Sequence, residues 1–316
     1  MKKLVLANDG IDPVGKKMLL DAGFEVVTEK VSQDNLIKEI NEKSYSVLTV
    51  RSATQVRKDL IDSCPGLRVV ARGGVGMDNI DVEYAKTKGL AVINTPAASS
   101  NSVAELVFAH LYGMLRFLPD SNRRMPIDGS IKFEELKKKY SKGIELRGKT
   151  FGIVGFGRIG QSVAKIALGN GMKVIAHDPF LSEAKIKLEI HGAQDVEVTL
   201  KTVDLETLWS QSDFISLHVP GGKLVGKEEF AKMKEGVFLI NASRGGVIDE
   251  NALIEALESG KVSQIALDVF EGEPKPNETI LTHQKISLSP HIGASTNEAQ
   301  KRIGVELAEK IIAAFQ

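Results

Sequence analysis

The residues Gly155-Phe156-Gly157-Arg158-Ile159-Gly160 follow an apolar run at 151–154 and open a helix-patterned stretch, Arg158–Gly169. The pattern is strand, tight turn, helix. Gly155 permits the turn, Gly157 lets the backbone approach a pyrophosphate, and Gly160 lets the helix pack closely on the strand. Free N–H groups at the helix start then favour bound phosphate. A second strand-like run, Lys173–His177, ends in Asp178-Pro179. A carboxylate at that spacing accepts hydrogen bonds from both ribose hydroxyls and repels a 2′-phosphate, so the cofactor expected is NAD rather than NADP.

Hydride chemistry on an alcohol needs a proton carrier, a cation for a carboxylate or carbonyl, and a group that tunes the carrier. Three strand-like segments downstream supply such groups. Residues 238–242 lead into Ser243-Arg244-Gly245-Gly246, residues 265–269 into Phe270-Glu271-Gly272-Glu273-Pro274, and residues 286–289 into Pro290-His291-Ile292-Gly293. In open α/β sheets, functional groups collect just beyond strand ends. Taken singly, Arg244 reads as a salt-bridge partner, Glu273 as a turn residue and His291 as structural. Spacing alone does not bring them together.

The elements that must hold these groups alternate along the whole chain. Strand-like runs at 3–7, 45–51, 67–71 and 90–94 precede the glycine turn, and Pro13 opens a helix with Val14, Met18 and Leu19 on one face. Ser99-Ser100-Asn101-Ser102 caps a long helix carrying Val103, Leu106, Val107, Leu111, Met114 and Leu115. His110 lies on that stripe and reads as a packing histidine. Residues 119–149 are polar and Lys-rich, with Lys137-Lys138-Lys139 read as a solvated face. From 150 to about 269 the alternation is regular, and Ser295-Thr296-Asn297-Glu298 has the spacing of a capping box. The pattern predicts a parallel α/β architecture.

The 316 residues exceed what one core usually holds, so two domains are expected. Forty-one basic and 41 acidic residues cancel, which gives no general attraction to nucleic acid or anionic membrane. The single cysteine, Cys64, excludes an internal disulfide and a multi-cysteine metal site, and fits a cytoplasmic location. No run is long enough to span a bilayer, and the short N-terminal apolar run lacks a signal-peptide pattern.

Over essentially its whole length the sequence resembles the D-isomer-specific 2-hydroxyacid dehydrogenases. The matching stretches are Gly155–Gly160 with Asp178-Pro179, residues 241–246, 266–270 through Glu273-Pro274, and 290–296. The resemblance implies two Rossmann-like domains with a cleft between them. A flavodoxin-like substrate domain would span 1–98 and 286–316, and a doubly wound NAD-binding domain 99–285. It implies that Arg244 binds the substrate carboxylate and carbonyl, that His291 carries the hydroxyl proton, and that Glu273 pairs with His291 and favours the imidazolium that forms. Cofactor contacts are implied for Val103, Gly155, Gly157, Arg158, Ile159, Gly160, Asp178, Pro179, His218, Val219, Pro220, Ala242, Ser243, Arg244, Asp268, His291, Gly293 and Ala294. It also implies a homodimer formed through the cofactor domain.

Within the family the likeness is strongest to the branch that oxidises D-3-phosphoglycerate in serine synthesis, on residues 50–54, 72–81 and 94–96. It implies a phosphorylated hydroxy acid as substrate. The amides of Gly74, Val75 and Gly76 would hold its carboxylate. Arg51 and Arg72 would face its phosphate, with Ser52 and Asn101 nearby and Lys138 the match to a further basic group. Two departures stand out. Gly221-Gly222-Lys223-Leu224 replaces a longer Leu- and Thr-rich loop after Pro220, and Val75 stands where Thr is common. The last family helix ends near Gln316, so no serine feedback through an appended domain is expected. The alternatives on this scaffold are a glyoxylate or hydroxypyruvate reductase and an NAD-sensing corepressor-like binding protein.

Overall fold

A computed structural model describes residues 3–316. The chain forms two compact units: one runs up to Ser102 and resumes at Ala294–Gln316, and the other is Val103–Gly293.

The first unit contains β1 (Leu4–Ala7), β2 (Glu25–Val27), β3 (Val47–Val50), β4 (Val69–Arg72) and β5 (Ala91–Asn94). They form one parallel sheet in the order β2-β1-β3-β4-β5, the flavodoxin-like order. β1 and β3 are buried at every residue, as central parallel strands covered on both faces must be. Helix Pro13–Asp21 packs on helix Asn297–Ala313. Of the face expected for the first helix, Leu19 is buried but Val14 is exposed. The contact is made instead at Gly15, where a β-carbon would clash with the Gly304 carbonyl, so the two backbones cross closely. The second helix is capped by Thr296, whose hydroxyl accepts from the Ala299 amide. Glu298 falls at the second helical position rather than the third, so the expected capping box does not close.

The second unit contains β6 (Thr150–Val154), β7 (Lys173–His177), β8 (Glu183–Leu188), β9 (Val196–Lys201), β10 (Phe214–Leu217), β11 (Val237–Asn241), β12 (Val262–Leu267) and β13 (Ile286–Leu288). Six of them form a parallel sheet, β13-β12-β11-β10-β6-β7. Beyond β7 the next parallel neighbour shrinks to a single bridge, Ala176 to Thr202. The chain there folds into the antiparallel hairpin β8–β9, held by cross-strand pairs such as Lys185–Glu197 and Lys187–Asp195. Regular alternation therefore breaks in this region. The polar stretch before β6 also holds two helices, Leu118–Asp128 and Phe133–Lys139, joined by a bond from Lys139 to Asp120.

The unit boundaries differ from the sequence expectation for a hydrogen-bonding reason. β13 pairs with β12 from Ile286 to Leu288, so 286–293 belong with the second unit. Helix Ser100–Leu115 starts in the first unit and continues in the second. Among the described residues, no helix is long and apolar enough to cross a membrane, and no cluster of His, Cys, Asp and Glu is arranged to hold a metal.

Candidate active site

The glycine turn sits between β6 and helix Arg158–Gly169, and each glycine has its own reason. Gly155 takes φ +89°, and a β-carbon there would clash with the His218 carbonyl. A β-carbon on Gly160 would clash with the Gly155 carbonyl, so this position sets how close helix and strand approach. Gly157 differs: its φ is −70°, and a β-carbon there would meet nothing within 4 Å. Gly157 is thus dispensable to the fold and leaves open space before the helix N-terminus. Arg158 and Ile159 form the first helical turn. Asp178, just past β7, accepts from the Phe156 amide at 2.8 Å and the Phe180 amide at 2.9 Å. Those two bonds fix its carboxylate beside the turn, with Pro179 between the anchors.

His218, Val219 and Pro220 follow β10 and lie against the turn through the Gly155–His218 contact. Ser216 Oγ and His218 Nε2 are 2.8 Å apart, while Nδ1 is buried with no hydrogen-bond partner. An orphaned ring nitrogen beside an open glycine turn fits a polar cofactor group. The residue keeps some surface, but Nδ1 has none, and burial lowers the ring pKa to about 3. A histidine depressed from its unfolded value near 6.5 contributes stability that is full above pH ~6.5 and is lost as pH falls toward 3. We expect His218→Gln to flatten the acid side of the apo-protein stability curve by up to about 1.4 kcal/mol per pH unit between pH 6 and 4. Denaturant titrations across that range measure it, and parallel curves for the two proteins would contradict it.

The three expected catalytic residues follow three neighbouring strands of one sheet, β11, β12 and β13. After β11, Asn241 Oδ1 accepts from both the amide and the hydroxyl of Ser243, which turns the chain through Ala242 to Arg244. Gly245 then lies so close to the Phe270 carbonyl that any β-carbon would overlap it, so this loop rests on the loop after β12. In that second loop Glu273 Oε1 accepts from the Phe270 amide at 2.9 Å. Its Oε2 is 2.8 Å from His291 Nδ1. The carboxylate therefore accepts Nδ1–H and leaves Nε2 as the basic nitrogen. His291 is half-exposed and has φ +54°, in the left-handed region that non-glycine residues rarely occupy.

Asp268, 2% exposed, holds that backbone in place. Its Oδ1 accepts from the Ile292 amide and the Ser289 hydroxyl, and its Oδ2 from the Gly293 amide. Gly293 also packs on Val103, whose Cγ2 would lie 3.2 Å from an added β-carbon. Ala294 begins the return to the first unit.

The residues expected at the substrate lie in the first unit. Arg51 and Ser52 follow β3, Arg72 ends β4, and Gly74, Val75 and Gly76 form the next loop. Arg72 folds over that loop, since a β-carbon on Gly74 would clash with its guanidinium. Two residues with no assigned role tie the group together. Asn79, buried, donates to the carbonyls of Arg51 and Thr54 and accepts from Arg72 Nε. Asp9 accepts from the Arg51 amide at 2.7 Å and from Thr54. Asn101 is exposed in the first turn of its helix, and Lys138 lies in the last turn of Phe133–Lys139.

Comparison with known proteins agrees with this geometry. Residues 108–293 match the D-isomer specific 2-hydroxyacid dehydrogenase, NAD binding domain. The chain is 45% identical to a hydroxypyruvate reductase of Thermotoga maritima over 315 residues, covering 97% of this chain and 96% of that one. It is 41% identical to a D-3-phosphoglycerate dehydrogenase of Methanocaldococcus jannaschii, covering 97% of this chain but only 56% of the relative. The crystal structure of a glyoxylate reductase from Paecilomyes thermophila superposes with a TM-score of 0.81 at 29% identity, covering 100% of this chain and 96% of that one. The chain belongs to the D-isomer-specific 2-hydroxyacid dehydrogenase family. Its cofactor is NAD, and its reaction class is NAD-dependent interconversion of a D-2-hydroxy acid and a 2-keto acid.

Proposed function

We propose that the protein oxidises D-3-phosphoglycerate to 3-phosphohydroxypyruvate. The observation that carries this reading is the pair Arg51, just past β3, and Arg72, at the end of the adjacent β4; Asn79 donates to the Arg51 backbone carbonyl and accepts from Arg72 Nε. Two such guanidinium groups suit a phosphate dianion, and the amides of residues 74–76 suit the carboxylate. In the chemical step Arg244 holds the carboxylate and polarises the C2 oxygen. His291 Nε2 takes the hydroxyl proton, and the Glu273 carboxylate stabilises the imidazolium that results. NAD supplies the hydride acceptor. The residues proposed to hold it are the turn 155–160, Asp178 at the ribose, and the segments 218–220, 242–244 and 291–294 with Val103 and Asp268.

A second reading is reduction of hydroxypyruvate or glyoxylate, and a relative matched along nearly its full length favours it. A panel of 3-phosphohydroxypyruvate, hydroxypyruvate and glyoxylate, each with NADH and NADPH, separates the two. We expect a preference for the phosphorylated substrate and for NADH of at least about 100-fold, the loss expected when a buried charge partner is missing. Arg51→Ala should raise KM for the phosphorylated substrate ~10-fold or more with little change in kcat. Equal rates with all three acids would defeat the phosphate reading.

We further propose that the protein is a homodimer through its second unit. Leu118, Ile127, Ile131 and Phe133 are all more than half exposed on one stretch of that unit, which favours a covered surface. Ile127→Asp should shift the sedimentation coefficient from dimer to monomer.

A further inference from the structure

The apolar stripe around His110 predicts a packing histidine, yet both of its ring nitrogens are bonded. Nδ1 lies 2.8 Å from Ser287 Oγ, and Nε2 lies 2.8 Å from Ser289 Oγ. The two serines flank Leu288 near the end of β13 and are 177 and 179 residues away in sequence. Ser289 Oγ lies in turn 2.6 Å from Asp268 Oδ1.

The donors in this chain can be assigned in order. An ionised carboxylate only accepts, so the single Ser289 hydroxyl proton goes to Asp268. Ser289 Oγ must then accept from His110, so His110 Nε2 carries a proton. Burial lowers the pKa of His110, against the opposing pull of Asp268, and a neutral ring protonated at Nε2 has a bare Nδ1. Ser287 donates to that nitrogen. The result is one directed chain: Ser287 to His110, His110 to Ser289, Ser289 to Asp268. It ends on the carboxylate whose two oxygens hold the amides on either side of the Ile292–Gly293 step.

We propose that His110 is a positioning residue for the proton carrier: through Ser289 and Asp268 it fixes the backbone that presents His291 to Glu273. The device has a reason to exist. His291 sits at φ +54°, a conformation that persists only where its surroundings impose it. The ends of the second unit also meet here, since Val103 packs on Gly293. His110 lies two turns along the helix that Val103 enters, so the chain of bonds braces the catalytic loop against that helix.

This inference rests on His291 being the proton carrier. The test compares His110→Leu, His110→Gln and His291→Asn. Leucine fills the space with no donor, whereas glutamine can still offer N–H to Ser289. His110→Leu is expected to lower kcat about 10-fold or more, as small displacements of reacting groups do. KM and the NADH dissociation constant should stay within about 2-fold, and His110→Gln should recover most of the loss. Unchanged kcat in His110→Leu, or a loss that glutamine does not restore, overturns the proposal. If His291→Asn is fully active, the underlying assignment fails instead. A spectroscopic measurement covers the case of a leucine variant that does not fold. Nitrogen-15 spectra of the wild-type histidines must show one neutral ring protonated at Nε2 and hydrogen-bonded at both nitrogens. A His110 ring, assigned by its loss in the His110→Gln spectrum, that is protonated at Nδ1 breaks the chain and the proposal with it.

Discussion

Replacing His291 by asparagine is expected to lower kcat for hydroxy-acid oxidation by about 1,000-fold while NADH binding stays within a few-fold. The size follows from the role: a positioned general base contributes roughly 10²–10⁴-fold. The selectivity follows from the geometry. The side chain's one partner in the loop is Glu273, through Nδ1. The backbone around it is held independently by Asp268, through the amides of Ile292 and Gly293. Asparagine is also among the side chains that best tolerate φ near +54°, so the loop should survive the exchange. Glu273→Gln should cost less, about 10–100-fold, because the amide oxygen can still accept Nδ1–H and only the charge that stabilises the imidazolium disappears. The pair should be strongly non-additive, since each acts through the other. Stopped-flow hydride transfer with fluorescence titration of NADH measures both quantities. A double variant no slower than His291→Asn alone is the expected result, and full additivity would mean that the two residues do not work as one unit.

The parts of this site that the sequence disclosed are those whose physics is local. Helix Arg158–Gly169 and strand Lys173–His177 have the bounds read from residue pattern alone, because apolar spacing and the glycine turn are neighbours along the chain. Elements with little buried surface escaped. β8 does alternate, with Ala184, Ile186 and Leu188 packed toward the core and Glu183, Lys185 and Lys187 turned outward, but Ile186 is its one fully buried side chain, so the signal is short and weak. Helix Leu118–Asp128 buries no side chain and contains Pro126, which argues against a helix on local grounds. The supporting residues escaped for another reason. Asp9 reaches Arg51 and Thr54 across more than 40 residues, and His110 reaches Ser289 across 179. An ordinary Asp in a loop and a His on an apolar stripe look the same whether or not such partners exist. The family resemblance pointed to Arg244, Glu273 and His291, and the fold adds how they are held: an Asn241–Ser243 turn, a Phe270 amide and a buried aspartate.

Gly157→Ala should abolish tight NADH binding and leave the fold nearly intact, which separates it from its two neighbours in the turn. The added methyl meets no atom within 4 Å, and φ −70° is open to any residue. The direct structural cost is the loss of a favourable helix-start residue, about 1 kcal/mol, which in a domain of this size moves Tm by roughly 2–4 °C. That same open space is where the pyrophosphate must approach the backbone. A methyl there forces the phosphates away from the helix N-terminus at a cost of about 2–3 kcal/mol, or roughly 100-fold in affinity. Gly155→Ala and Gly160→Ala should behave in the opposite way. The first places a side chain at φ +89° and against the His218 carbonyl, and the second drives a β-carbon into the Gly155 carbonyl. Both should unfold the second unit at markedly lower temperature whether or not cofactor is present. Thermal scans of the three variants with and without saturating NADH read out the contrast directly. Wild type should gain several degrees with cofactor, and Gly157→Ala should gain almost none from a near-native starting point. A Gly157→Ala protein that melts early, or that is stabilised by NADH as wild type is, would place the cofactor phosphates elsewhere than at this turn.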